Sequence, residues 1–216
     1  MERAVILRLL CFQSFHRMFM VSDTNVLTGD MVVHTNKSPA YTTKNSHYGG
    51  SMNSLKSFTI LGICFVLITG TLSHFVYEWT GQSYFVGFIV PVNESTWEHM
   101  KLIFFPMLLF AFFMKWKLQD SFPCIGTSLM AGILAGTASI PIIYYTYTGI
   151  LGHHTLVFDI LTFVAAVLIA FTATYRLTKS CNAQKYRFLL FGAVIFLMLC
   201  FFMFTYAPPD IGLFHL

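Results

Sequence analysis

Five long apolar stretches, separated by short polar segments, occupy the chain from about residue 58 onward. Crossing the ~30 Å hydrocarbon core of a bilayer takes about 20 predominantly apolar residues in a helix. The first stretch, Phe58 to Tyr77, contains no Asp, Glu, Lys or Arg. The second runs from about Trp97 to Trp116; its first turn is polar, but Leu102 to Met114 is wholly apolar. The third, Phe122 to about Tyr147, is rich in Gly and Ala and carries Pro141, where a kink is expected. Within it Gly132 and Gly136 form a G-x-x-x-G, a pattern that lets helix backbones approach closely in lipid. It is the expected face for a homo-oligomer. The fourth stretch runs from Thr155 to about Tyr175, and the fifth from Phe188 to Tyr206, ahead of Pro208-Pro209. The pattern predicts an all-α polytopic membrane protein with about five transmembrane helices, whose first partner is the lipid bilayer.

Composition agrees with the pattern. Of 216 residues, 56% are hydrophobic and 10% charged, against about 25% charged in soluble domains. The 24 Phe exceed what one small core needs, so the surplus must face something apolar. The net charge of +4 does not point to nucleic acid, because the basic residues are scattered at the ends of apolar runs. The five Cys (Cys11, Cys64, Cys124, Cys181, Cys200) show no C-x-x-C spacing. Neither a disulfide framework nor a zinc finger is expected from them.

Loop charge orients such a bundle. Lys56, Lys115, Lys117, Arg176, Lys179, Lys185 and Arg187 fall on one side if the helices alternate, and only Lys101 falls on the other. The basic side is expected to be cytoplasmic in a cell membrane, with the N-terminus inside and the C-terminus outside. Aromatic residues, among them Tyr77, Trp79, Trp97, Trp116, Tyr147 and Tyr206, mark the boundaries, as amphipathic rings do at headgroup level.

Residues 1–51 are expected to be a disordered or non-native extension of a five-helix domain over 52–216, because their mixed composition cannot bury enough surface to fold alone. Val5 to Cys11 is apolar but interrupted by Arg8, which leaves an amphipathic surface segment as the alternative. Met52-Asn53-Ser54-Leu55-Lys56-Ser57 leads straight into the first apolar run, as a natural translation start would.

The candidate chemistry lies at one end. Residues 52–216 contain six acids (Glu78, Glu94, Glu98, Asp120, Asp159, Asp210) and five histidines (His74, His99, His153, His154, His215). All the histidines and every acid but Asp120 fall on the expected outer side. His74 and Glu78 are spaced i, i+4 and share a helix face. Glu94, Glu98 and His99 open the second apolar stretch, His153 and His154 sit before the fourth, and Asp159 lies one turn into it. Ionisable groups at membrane depth are costly and tend to line a cavity or pathway. Imidazole and carboxylate suit zinc or another divalent metal, whose catalytic sites use about three protein ligands and one open position. No H-E-x-x-H spacing occurs. The competing reading is structural. Ser95-Thr96-Trp97-Glu98 matches a capping box, Glu98 and Lys101 are spaced to pair, and Asp159 can pair with a histidine or a tyrosine hydroxyl. Tyr84 to Pro91 is apolar but too short to span; it is expected at the interface, as a lid over the polar cluster, with Ile211 to Phe214 packing similarly.

Gly70-Thr71-Leu72-Ser73-His74-Phe75-Val76-Tyr77-Glu78-Trp79 and Pro91-Val92-Asn93-Glu94-Ser95-Thr96-Trp97-Glu98-His99-Met100-Lys101-Leu102 resemble the hallmark motifs of an uncharacterised family of small bacterial multi-pass membrane proteins, a domain of unknown function. Tyr147-Thr148-Gly149-Ile150 and the terminal Pro-Pro region are similar to it too. The resemblance covers about Met52 to Leu216 and implies a fold and a location, but no reaction. The motif positions are His74, Glu78, Asn93, Glu94, Trp97, Glu98 and His99. Three functional classes stay open: a membrane-embedded metal-dependent hydrolase, a transporter or its accessory subunit, and a structural or sensory interaction protein.

Overall fold

A computed structural model describes the backbone of residues 43–214 and the side chains from Met52. The N-terminal extension up to residue 42, and His215, lie outside the described residues. Every regular element among the described residues is helical. The long helices are α1 (Thr43–Trp79), α2 (Lys101–Leu118), α3 (Ile125–Leu151), α4 (Leu156–Ser180) and α5 (Arg187–Phe204). One helical turn, Thr96–His99, leads into α2.

Four segments are long and apolar enough to cross a membrane: Met52–Trp79, Ile125–Leu151, Leu156–Ser180 and Gln184–Phe204. Ile125–Leu151 is 56% buried over its apolar window, but only 17% of that window in α1 and 11% of it in α5 is. Ile60, Leu61 and Ile68 on α1, and Phe188, Leu189 and Phe196 on α5, are exposed. An exposed apolar surface of this kind suits contact with lipid. The polar groups on α1 are satisfied locally, as lipid demands. Thr59, Thr69 and Thr71 donate their hydroxyls to the carbonyls of Leu55, Phe65 and Leu67, four residues earlier.

The expected second span differs from the other four. α2 is 18 residues long and carries Lys101, Lys115 and Lys117. It is also the helix most surrounded by protein, with Ile103, Phe104, Met107 and Met114 fully buried. These residues belong to the core of the bundle, while Leu109, Phe112, Phe113 and Trp116 on the other face of the helix are exposed.

Small residues set the spacing between helices. Gly62 lies against Phe110 of α2 and Phe171 of α4, and Gly70 against the carbonyl of Leu102 and the ring of Phe163. Gly132 faces Thr174 and Met107, while Gly136 faces Ala170 and Ile103. These layers make α1, α2, α3 and α4 alternate in direction at matching depth. They also change the use expected of the G-x-x-x-G face. Gly132 and Gly136 are buried within the chain, where they bring α3 against α4, and a second copy would have to engage another surface. α3 continues through Pro141 and ends at Gly152, which takes the left-handed conformation (φ 76°) and closes the helix by donating to Thr148.

The absence of a disulfide expected from spacing is not what the fold gives. Cys124 and Cys181 are bonded, with Cα atoms 5.4 Å apart across 57 residues of sequence. The α3–α4 hairpin folds back on itself and brings its two open ends together, which no local spacing reveals. Cys64 and Cys200 remain free within the apolar helices.

Candidate metal-binding site

At the end of the bundle where α1 finishes and α2 begins, three of the candidate residues converge. The Nε2 atoms of His74 and His99 each lie 3.4 Å from the same Glu94 oxygen, Oε2. One ligand-capable atom from each residue falls within 4.8 Å of the other two. The two imidazole rings meet edge to face at 5.4 Å. The side chains are accessible, at 32% for His74, 58% for Glu94 and 28% for His99.

The local sequence explains this convergence. Ser95 caps the turn Thr96–His99 by accepting from the Glu98 backbone N–H at 3.4 Å, as the capping box predicts. Asn93 Oδ1 accepts from Ser95 N–H at 2.9 Å and shapes the bend that carries Glu94. His99 Nδ1 lies 2.9 Å from the Ser95 carbonyl oxygen, a contact that only an N–H at Nδ1 can satisfy. That tautomer leaves the Nε2 lone pair free toward Glu94. Backbone-fixed imidazoles of this kind are the usual second partner of metal ligands.

Tetrahedral zinc with bonds of about 2.0–2.1 Å places neighbouring ligand atoms about 3.3–3.4 Å apart. The two 3.4 Å separations are compatible with that spacing and with His–Glu ion pairs alike.

The other candidates are placed elsewhere. Glu98 turns inward, 2% exposed, and accepts from Lys101 Nζ at 2.7 Å and from Val92 N–H at 2.9 Å. Burial pushes its carboxyl above the usual range, and the Lys101 ammonium only partly offsets this. Lys101 is itself wholly buried and also donates to the Gly87 carbonyl at 2.9 Å and to Thr205 Oγ1 at 2.6 Å. The pair therefore clamps the Val86–Phe88 turn, α2 and the end of α5 together. It also answers for the lone basic residue on the acidic end, since its charge is neutralised inside the fold. Tyr206 donates to the Tyr84 carbonyl, and Phe214 packs on Trp97, so both apolar segments pack against this end of the bundle, while the His74, Glu94 and His99 side chains stay accessible.

Asp159 forms a second cluster. It accepts a hydrogen bond from Tyr147, and its Oδ2 lies 3.5 Å from His154 Nδ1. Tyr147 stacks on Phe158, so this cluster fastens the α3–α4 turn. Glu78 is exposed and stands outside the group of three ligands, and His153 contacts only the Leu151 carbonyl, at 3.0 Å. Sequence reasoning singled out both Glu94 and Glu98 and had no means of dividing their roles. The capping box does not divide them either: Asn93 takes the Ser95 N–H that Glu98 was expected to accept, and Glu98 bonds Val92 and Lys101 instead.

The sequence profile of a family of unknown function (DUF6512) matches residues 49–216. The chain belongs to this family. The match starts where the bundle's compact unit starts, at Gly49, and takes in all three residues of the cluster. No curated protein and no solved structure matches the chain.

Proposed function

We propose that this family member is a metal-dependent hydrolase embedded in a bacterial cell membrane, with zinc or a similar divalent ion held by His74, Glu94 and His99 at its outward-facing end. The observation that carries the reading is the convergence of three ligand atoms of the right chemistry, from α1 and the lead-in to α2, at ligand-to-ligand spacing. His74, Glu94 and His99 would hold the ion and leave a fourth position open, and the chemistry it would supply there is the activation of water near neutral pH. Glu78 lies one turn beyond His74 on the same helix face and is the carboxylate left to accept the water's proton. Exposed Trp79, Tyr84 and Phe85 surround this end. Their rings suit the headgroup level, so the substrate is an ester or amide presented at the membrane surface.

In this reading α2 crosses the membrane as a fifth, central helix. Its support is the alternation of depth-matched contacts between α1, α2 and α4. The N-terminus is cytoplasmic and the C-terminus outside, by the weight of Lys115, Lys117, Arg176, Lys179, Lys185 and Arg187 at the opposite end. A carrier has less support, because the most buried ionisable pair, Glu98–Lys101, is locked to Gly87 and Thr205 and lines no path.

The test is elemental analysis of protein purified without a histidine tag. One zinc-class ion per chain is expected, falling to background in His74→Ala and His99→Ala while Glu98→Gln retains it. Metal-free wild-type protein, or full occupancy in both histidine variants, would overturn the assignment. Reporter fusions after Gln82 and after Gln119 test α2: opposite-side signals are expected, and same-side signals would remove it from the membrane.

A further inference from the structure

The end of the bundle opposite the metal cluster holds a crevice that the hydrolase reading does not use. Its volume is about 770 Å³, and it opens between α3, α4, the α4–α5 turn and α5. That size lies within the range of about 300–1,000 Å³ typical of small-molecule sites. Its walls divide by chemistry. Ala131, Leu177 and Leu190 form an apolar part, while Asn182, Lys185 and Tyr186 supply an amide, an ammonium and a phenol at the mouth. All three mouth groups can donate hydrogen bonds, and no acid lines the crevice. The segment from Arg176 to Arg187 contains Lys179 and Lys185 besides its two ends and no Asp or Glu. Arg176, Lys179 and Lys185 are exposed.

Cys181 ends α4 in the left-handed conformation (φ 52°) and is bonded to Cys124 at the start of α3. Thr127 of α3 donates to Gln184 Oε1 at 2.8 Å, and the turn closes through Gln184 N–H to Cys181 O at 3.1 Å and Tyr186 N–H to Ala183 O at 2.9 Å. Lys185 is carried by this hydrogen-bonded turn, with its ammonium 4.7 Å from the centroid of the Tyr186 ring.

We infer that this crevice binds an anionic phospholipid of the surrounding bilayer. An acyl chain would lie along Ala131, Leu177 and Leu190, and the phosphate would sit at Lys185, Asn182 and Tyr186. Charge complementarity selects the occupant: a lining whose one charged side chain is Lys185, carried in a segment that is basic and free of acids from Arg176 to Arg187, attracts the anionic lipids of the leaflet and discriminates against zwitterionic ones. The inference is independent of the metal site, since it concerns the opposite end of the bundle.

Native mass spectrometry of the full chain, delipidated in uncharged detergent, tests it. With phosphatidylglycerol and phosphatidylcholine of equal chain length, one tightly retained phosphatidylglycerol per chain is expected, at roughly fivefold preference, the factor contributed by one basic side chain. Lys185→Gln should remove that preference and Lys185→Arg should keep it. Ala131→Leu should remove retention by filling the crevice while leaving every charge in place; Leu190→Trp does the same from α5 if the first variant does not fold. Lys117→Gln, a basic change at the same end but outside the crevice, should leave retention unchanged. Equal binding of the two lipids, an equal loss in Lys117→Gln, or displacement of the lipid by inorganic phosphate would each overturn the inference.

Discussion

Replacing Lys101 by Met should be among the most damaging single changes in the bundle. The side chain is 0% exposed, and its ammonium satisfies Glu98 Oε2, the Gly87 carbonyl and Thr205 Oγ1 at 2.6–2.9 Å. Methionine matches its length but donates nothing. The Glu98 carboxylate, 2% exposed, would keep only the Val92 N–H as a partner. Removing one member of a buried ion pair costs about 3–5 kcal/mol, mostly because the other charge is left uncompensated. Reversible unfolding in mixed micelles, followed by helix content, measures the loss. The double variant Lys101→Met/Glu98→Gln removes the stranded charge and should recover about 2 kcal/mol of it. Acidity should act in the same direction. Burial already holds the Glu98 carboxyl above its usual range, and losing Lys101 removes the charge that opposes this. A group raised on folding contributes stability at low pH and loses it as pH rises through its folded value. Lowering the pH from about 8 to about 5 should therefore restore part of the stability of Lys101→Met. A loss under about 1 kcal/mol, or a double variant worse than the single one, would refute the clamp.

Four further outcomes follow from the packing and the chemistry. Gly132→Ala should destabilise the bundle by about 1–3 kcal/mol, because its new methyl would fall on the Thr174 hydroxyl and 2.7 Å from the Ala170 carbonyl. Gly149→Ala, with open space around it, should leave thermal stability within about 0.5 kcal/mol of wild type. Bound metal should be released on acidification, since imidazole and carboxylate ligands must be deprotonated to bind; a metal content independent of pH in a titration would count against the His74–Glu94–His99 assignment. The Cys124–Cys181 pair lies at the basic end, which the proposed orientation puts in the cytoplasm, where thiols are normally kept reduced. Maleimide labelling of growing cells should find both thiols free and closing to a disulfide after lysis in air; a bond that persists in living cells would place the basic end outside.

The sequence by itself determined the all-helical class, the positions of the long apolar helices and the difference in charge between their two ends. Those properties rest on local quantities: the length of an apolar run set against the thickness of lipid, and the charge of the residues that flank it. It also determined the cap at Ser95, because a capping box closes within a single turn. It could not choose between Glu94 and Glu98 as a ligand. That choice depends on Lys101 being drawn inside by Gly87 and Thr205, the latter 104 residues further along the chain. It could not see that Gly132 and Gly136 serve the chain's own α4, since a close-approach surface does not name its partner. The joining of Cys124 to Cys181 was hidden for the same reason, because two helices must cross the full depth of the bundle before the cysteines meet. Only the tertiary structure decided that His74, Glu94 and His99 share one point in space while Asp159 and His154 form a separate cluster. Helices that each satisfy their own backbone can be packed in many ways, and it is the side-chain contacts between them that select one.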